Sequence, residues 1–184
     1  MLKLRQLQRQ KREQAIQNGT VPTSRNVPVS ACQLRLRKDL DSLDLPPCVS
    51  IDVSECESNS RLYISIIPDE GYYKGGRFKF CATFKDTYPI EPPKVTLMSK
   101  IFHPNIDLQG NVCLNILRED WSPVLDVQSI LIGLLMLFLE PNATDPLNKA
   151  AADVLVANPD QFRRDVVASL RGCQVNGQWY DQVM

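Results

Sequence analysis

The chain contains a single histidine, His103, and its six cysteines include no C-x-x-C pair. Histidine and paired cysteines are the usual zinc ligands, so the chain offers few residues that could form a zinc site. The chain shows no secretory signal, and its 184 residues are too many for a small disulfide-stapled scaffold. We therefore expect free thiols and a reducing, intracellular compartment.

An excess of one charge and a long apolar run are also missing. The 21 basic and 21 acidic residues cancel, which argues against wholesale nucleic-acid binding. The longest apolar run, residues 130–139, is much shorter than the roughly 20 residues that cross a bilayer, and it predicts a buried helix. The length predicts one domain of about 140 to 150 residues with an appendage.

The appendage is N-terminal and basic. Leu4 and Leu7 would share one face of a helix, with Met1 and Leu2 close by. An Asn-Gly pair at 18–19 and prolines at 22 and 28 predict a linker up to residue 29. Composition alone favours a solvated arm, and the alternative is a peptide that docks its apolar face in a partner's groove. A membrane anchor is the weakest interpretation, because a strong apolar face and a lipidation motif are missing.

Residues 30–172 have the pattern of an α+β domain, followed by a tail at 173–184. Leucines at 34, 36, 40 and 43 predict an N-terminal amphipathic helix closed by Pro46-Pro47. Four strand candidates predict an antiparallel meander with one buried face: Val49, Ile51, Val53; Leu62, Ile64, Ile66; Phe78, Phe80, Ala82, Phe84; and Val95, Leu97. The Tyr88–Pro89 bond is a candidate for the cis isomer. We expect Asp126 to cap a helix over 127–139, with further helices near 148–157 and 159–170.

Cys113 lies in a long irregular stretch between the last predicted strand and the buried helix. A free cysteine is usually an inert buried residue. Long irregular segments in compact domains are usually functional, which favours a nucleophile. Asn105 is eight residues upstream, and Asp107 and Gly110 would let the segment fold back and bring its amide near the sulfur.

Three polar residues are candidates to assist the thiol, and each has a structural alternative. His103 suggests a Cys–His hydrolase, but the proline after it favours an imidazole bonded to its own loop. Asn105 is either a turn former or a donor to the oxyanion of an acyl transfer. Asp145 is either a helix-start residue or an acid that orients and deprotonates an incoming amine. Composition does not choose between the two interpretations of Asp145.

Motifs throughout residues 30–172 resemble those of the ubiquitin-conjugating enzymes. They occur in one order and spacing: Pro68-Asp69-Glu70-Gly71, Tyr88-Pro89-x-x-Pro92-Pro93-Lys94, His103-Pro104-Asn105, Cys113-Leu114, Trp121-Ser122-Pro123 and Asp145-Pro146-Leu147. The resemblance implies the ubiquitin-conjugating α+β fold: an N-terminal helix, a four-stranded antiparallel meander and C-terminal helices. It also implies that Cys113 accepts a ubiquitin-like protein from an activating enzyme as a thioester and passes it to a lysine. Asn105 would support the oxyanion and the loop, and Asp145 would act beside the entering lysine.

The resemblance is closer to the neddylation branch, which conjugates the Nedd/Rub modifier. The segments that are similar to that branch are residues 1–4, 41–46 and 114–121. It implies that the extension, with Leu4 and Leu7, docks into a groove of the heterodimeric activating enzyme. It further implies that acetylated Met1 enters a pocket on a Dcn-type co-ligase. Acetylation would remove the α-amino charge and let Met1 and Leu2 be buried without an unpaired cation.

The remaining expectations also follow from the resemblance. A RING ligase would contact the first helix, Ile90, Pro123 and Val124, the last of which replaces the alanine common in ubiquitin-type members. The implied substrates are cullin lysines, and the implied protein is a cytoplasmic and nuclear monomer that binds no nucleic acid and no membrane. It would hold no cofactor, since the activating enzyme uses the ATP. The alternatives are a conjugating enzyme for ubiquitin itself, a cysteine hydrolase, and a non-catalytic adaptor for modifier or ligase.

Overall fold

The computed structural model describes residues 29–184, so the docking residues expected at Met1, Leu2, Leu4 and Leu7 lie outside the described residues. In chain order the elements are α1 (Ala31–Asp41), β1 (Val49–Asp52), α2 (Cys56–Asn59), β2 (Arg61–Ile66), β3 (Phe78–Thr83), β4 (Lys94–Leu97), a 3₁₀ turn (Asn115–Leu117), α3 (Val127–Leu139), α4 (Lys149–Ala157), α5 (Pro159–Leu170), β5 (Gln174–Val175) and β6 (Gln178–Trp179).

Helix α1 confirms the predicted N-terminal helix. Ser30 and Gln33 form a reciprocal capping box, so the first backbone N–H groups are satisfied. The helix ends at Asp41, where the backbone N–H of Ser42 donates to the Asp39 carbonyl, three residues back, and leaves the α-helical pattern. Leu43 therefore follows the helix rather than extending it.

The meander is confirmed, with strand order β1-β2-β3-β4 and antiparallel pairing throughout. Ile64 pairs with Ile51 on one side and with Phe80 on the other. The alternate residues of β2 and β3 are buried on one face, as period-two patterning requires. The Tyr88–Pro89 bond before β4 is cis, as expected.

Helix α3 packs its apolar side on the sheet. Asp126 caps it by accepting the Ser129 N–H at 2.8 Å, as the sequence predicts. Phe138 stacks on Phe78 of β3, with ring centroids 4.1 Å apart. This contact joins the helix to the sheet and closes the core beside the 103–113 segment.

The C-terminal segment, predicted only as a tail, completes the core. Strands β5 and β6 form a hairpin whose Asn176-Gly177 turn has positive φ at both positions, as a two-residue hairpin loop prefers. Val175 and Tyr180 are buried against the domain. The division into residues 1–29, 30–172 and 173–184 stays a prediction, although residues 173–184 pack as part of the globule.

Candidate active site

The segment from His103 to Cys113 folds back on itself, as the sequence predicts. Asp107 begins the turn by accepting the backbone N–H groups of Gln109 at 2.9 Å and Asn111 at 2.8 Å. The turn then places the backbone of Cys113 beside that of Asn105, and the Cys113 N–H donates to the Asn105 carbonyl at 2.8 Å.

Gly110 makes this fold-back possible. Its φ is +80°, and a Cβ there would lie 2.0 Å from the carbonyl oxygen of Leu97 in β4. Its own carbonyl accepts the Leu97 N–H at 2.8 Å, which pins the turn to the sheet. Only glycine has both the conformational freedom and the small size required here.

Cys113 sits at the edge of the core, and the residue as a whole is 8% exposed. Its S–H donates to the backbone carbonyl of Asp145 across 3.6 Å. Burial raises the pKa of the Cys113 thiol, the charge of Arg118 lowers it, and the charges of Asp145 and Glu119 raise it. The resting group is therefore a protonated thiol.

Asn105 is 3% exposed, and its side chain binds the loop between α3 and α4. Its Nδ2 donates to the carbonyl of Asn142 at 2.8 Å, and its Oδ1 accepts the Asn142 N–H at 3.0 Å. An asparagine amide carries two N–H donors, so one remains after this pair is made. The geometry thus makes Asn105 an anchor of the 140–148 loop, with one donor left for another acceptor.

His103 is fully buried and has the structural role that the sequence favoured. Its Nδ1 accepts the Asn105 N–H at 2.9 Å, so Nε2 carries the hydrogen that lies 2.9 Å from the Leu137 carbonyl. Burial lowers the pKa of His103 to about 4. Because both ring nitrogens are engaged, the Cys–His pair of a hydrolase is not formed.

Asp145 lies in the 140–148 loop with φ +53° and an exposed side chain. The cap of α4 is Asn148, whose Oδ1 accepts the Ala151 N–H at 3.2 Å, so the helix-start interpretation of Asp145 is wrong. Within residues 29–184 the Asp145 carboxylate forms no ion pair and no hydrogen bond. A free carboxylate therefore stands on the loop whose backbone meets the thiol.

The expected ligase-facing residues lie on two adjacent loops. Ile90 is 76% exposed and Val124 is 84% exposed, which leaves two apolar side chains in solvent, and Pro123 is exposed too. The loops are joined because Trp121 Nε1 donates to the carbonyl of Pro89 at 2.9 Å. The structure thus brings these residues to one surface.

A partly buried polar cluster behind these loops was not predicted from the sequence. Arg35 of α1 donates to the carbonyls of Pro123 and Leu125 at 2.7 Å each, and to Asp39 at 2.7 Å. Tyr88 donates to the other oxygen of Asp39 at 2.5 Å, and burial raises the pKa of Tyr88. The i,i+4 spacing of Arg35 and Asp39 in the sequence indicates their ion pair. The contact of Asp39 with Tyr88, 49 residues away, leaves no such pattern.

Two kinds of site are not found in the part of the chain that the structure describes. It holds no cluster of three His, Cys, Asp or Glu side chains that could bind a metal ion. Among the same residues, 29–184, no helix has the length and apolarity that a membrane crossing requires.

Comparison with known proteins places these features in a family. The family model described as ubiquitin-conjugating enzyme matches residues 35–170. The chain is 50% identical over 183 residues to the NEDD8-conjugating enzyme UBC12 of Eremothecium gossypii, covering 100% of this chain and 99% of that protein. It is 46% identical over 181 residues to the Nedd8-conjugating enzyme UbcE2M of Drosophila melanogaster, covering 98% and 97%. The solved structure of S. cerevisiae Ubc12 matches with a TM-score of 0.82 and 48% identity, covering 98% of each chain. The chain belongs to the ubiquitin-conjugating enzyme family.

Proposed function

We propose that this protein conjugates the NEDD8 modifier, carrying it as a thioester on Cys113 and passing it to lysines of target proteins. The names of relatives at 46–50% identity over nearly the whole chain support the choice of modifier. The observation that carries the site is the contact between the Cys113 thiol and the Asp145 backbone, 3.6 Å apart. This contact supports a site in which the Cys113 thiol acts as the nucleophile and the nearby Asp145 as the acid.

Loading is a thioester exchange. The Cys113 sulfur attacks the carbonyl of the thioester on the activating enzyme, a new S–C bond forms, and that enzyme's cysteine leaves as thiolate. One thioester replaces another, so the step is close to energetic balance. The raised pKa of Cys113 means that its proton must be removed during attack, and the charge of Arg118 stabilises the thiolate.

In discharge a lysine amine attacks the same carbonyl, an isopeptide C–N bond forms, the C–S bond breaks, and Cys113 leaves as thiolate. The amine must first lose a proton, and the exposed Asp145 carboxylate orients the ammonium and accepts that proton as a general base. The contacts of Asn105 with Asn142 hold that loop, and its remaining N–H is a secondary donor to the oxyanion. A thiol of raised pKa is a poor leaving group, so discharge from Cys113 depends on the assistance that Asp145 and Asn105 give to the attacking lysine.

The partners of this reaction are part of the same proposal. A RING ligase binds the surface formed by Ile90, Pro123 and Val124, and the targets are cullin lysines. The N-terminal extension, including Met1, binds the activating enzyme and a Dcn-type co-ligase. The protein works as a monomer in cytoplasm and nucleus, holds no cofactor, and relies on the activating enzyme for ATP use.

The test is the intact mass of the protein, without reductant, after incubation with ATP and each pair of activating enzyme and modifier. We expect a thiol-sensitive adduct with NEDD8 and none with ubiquitin. Cys113→Ala should form no adduct, whereas Cys173→Ala, which removes an exposed cysteine, should form it normally. An adduct with ubiquitin alone would change the modifier, and no adduct from folded protein would favour a non-catalytic adaptor.

A further inference from the structure

Helix α3 contains a glycine at its centre that local helix preferences do not explain. Gly133 is the seventh of the thirteen residues of Val127–Leu139, and it is the only glycine inside a helix among residues 29–184. Its φ is not in the left-handed region that favours glycine. Glycine is less favourable than alanine in a helix interior, because it loses more conformational freedom on folding. The backbone of α3 therefore does not require this residue.

The space beside Gly133 is occupied by the segment that follows Cys113. A Cβ at position 133 would lie 3.0 Å from Cδ1 of Ile116 and 3.0 Å from Cδ2 of Leu114. Non-bonded carbon atoms pack best at roughly 3.5–4.0 Å. The missing side chain of Gly133 therefore provides the space in which these two side chains pack on α3.

This segment is attached to the rest of the domain through its side chains. Within residues 29–184, every backbone–backbone hydrogen bond made by residues 114–121 joins two members of that same stretch. The Trp121 indole adds one side-chain bond at the far end of the stretch. On one side of the thiol, the Cys113 N–H is fixed to the Asn105 carbonyl at 2.8 Å. The packing of Leu114 on α3 is the attachment on the other side.

We propose that Gly133 is a positioning residue: it lets the side chain of Leu114 pack on α3 and thereby fixes the Cys113 thiol. The proposal rests on the proposed function, because the thiol matters here as the carrier of a thioester. A side chain at position 133 would displace Leu114 and lengthen the 3.6 Å contact between the Cys113 sulfur and the Asp145 carbonyl. A shift of about 1 Å in a reacting group costs up to about 100-fold in rate, so a small displacement is enough.

The first test is Gly133→Ala, which adds one methyl group at this contact. Its midpoint of unfolding in urea should be unchanged or higher, because alanine is the better helix residue. Discharge of the loaded thioester to lysine should fall about three- to tenfold, since the neighbouring side chains take up only part of the displacement. Gly177→Ala is the matched control and should show the opposite pattern, a lower midpoint with unchanged discharge, because its φ is +79° and its Cβ would meet nothing within 4 Å.

The second test asks whether the added methyl group acts through the segment after Cys113. Leu114→Val and Ile116→Val together remove the methyl groups that the new Cβ would meet, and this double variant is the shortened background. In the shortened background, Gly133→Ala should lower discharge by less than about twofold, because the added carbon occupies space that has been vacated. Such non-additivity is expected of residues that share a contact.

A third measurement needs no modifier. The rate at which iodoacetamide alkylates Cys113, followed by mass spectrometry of the peptide that contains it, reports the surroundings of the sulfur in the free protein. Burial raises the pKa of the Cys113 thiol, so a sulfur displaced from its carbonyl partner is both more exposed and more readily ionised. Gly133→Ala should therefore increase the alkylation rate by about twofold or more, and the increase should be absent in the shortened background.

Each outcome has a distinct meaning. Unchanged discharge and alkylation in Gly133→Ala would overturn the proposal. An equal fall in discharge in both backgrounds would also overturn it, because the methyl group would then obstruct the bound modifier directly. A midpoint lowered as far as in Gly177→Ala would overturn it too, since the glycine would then serve the fold rather than the thiol. Absence of any Cys113 adduct in the parent protein would instead refute the proposed function, while the alkylation rates would still test the position of the thiol.

Discussion

Replacing Asn105 with alanine separates two ways in which its amide can assist discharge. The side chain makes two hydrogen bonds, of 2.8 and 3.0 Å, to the backbone of Asn142. Each contributes about 1 kcal/mol net, and the exposed Asn142 can recover part of the loss by bonding water. Loss of both would therefore loosen the 140–148 loop by about 2 kcal/mol. Loss of an oxyanion donor would instead raise the barrier for every nucleophile by about 3 kcal/mol.

The assay compares two amines on the preloaded Asn105→Ala protein. Lysine is charged at neutral pH and needs the Asp145 carboxylate in place, whereas hydroxylamine is already neutral and does not. If the loop contacts dominate, as the geometry indicates, discharge to lysine should fall up to about 30-fold. Discharge to hydroxylamine should then fall less than about threefold. Loading should continue in both cases, because the thiol itself is unchanged.

An equal fall for the two amines would refute this reasoning and make Asn105 chiefly an oxyanion donor. Asn142→Ala is the matched control on the other side of the contact. It removes the bond from the Thr144 N–H to Asn142 Oδ1, at 2.7 Å, but leaves the backbone groups that Asn105 uses. We expect a smaller fall for lysine than in Asn105→Ala, and no change for hydroxylamine.

Three further predictions concern the stability of the fold around the site, measured as the free energy of unfolding in urea. Tyr88→Phe removes the donor to the buried Asp39 carboxylate and should cost about 1 to 3 kcal/mol, while unchanged stability would mean that the carboxylate finds another donor. Gly110→Ala should cost more than about 3 kcal/mol, because its Cβ would meet a backbone oxygen at 2.0 Å. At Gly177 φ is +79°, but an added Cβ would have no atom within 4 Å, so Gly177→Ala should cost only about 1 to 2 kcal/mol. Equal losses of stability in the two glycine variants would contradict this account. Burial lowers the pKa of His103, the sole histidine, from 6.5 to about 4, so the unfolded state binds the proton first as the pH falls. The stability that the neutral imidazole contributes is complete above pH 6.5 and is lost toward pH 4. We expect the free energy of unfolding to fall by about 1 kcal/mol from about pH 7 to about pH 5.5. An exposed ring would give no such fall.

Local patterns predicted most of the fold because the forces behind them act over a few residues. Period-two alternation gave β2 and β3, since one face of each strand is buried. Asp126 marked the start of α3 because a carboxylate there accepts a free N–H group of the first turn. The leucine pattern predicted α1, but its leucines do not all lie on one face, since Leu34 is exposed and Leu36 is buried. Closely spaced leucines on one short helix are compatible with more than one buried face, and only the tertiary contacts decide which face is buried.

The contacts of the candidate site could not be predicted from neighbouring residues. Asn105 bonds a residue 37 positions away, and the Cys113 thiol meets a carbonyl 32 positions away. Backbone groups are their partners, and a backbone group leaves no mark in the sequence. The role of Asp145 was ambiguous for a similar reason. Asp145 and Asn148 are both residue types that cap helices, and the structure shows that Asn148 caps α4.

The three residues His103, Pro104 and Asn105 explain how a thiol and an acid so far apart in sequence are held together. The Leu137 carbonyl belongs to the last turn of α3, has no partner within the helix, and lies against the neutral imidazole of His103. The Pro104 carbonyl accepts the N–H of Asn148 at 2.9 Å, and the Asn105 amide pairs with Asn142. Three consecutive residues thus bind the end of α3, the 140–148 loop and the start of α4, while the same segment returns to pair with Cys113. Substitutions at His103 should therefore reduce activity by displacing the Asp145 loop from the thiol, and the pH dependence of discharge should keep its midpoint, because no proton passes through the imidazole.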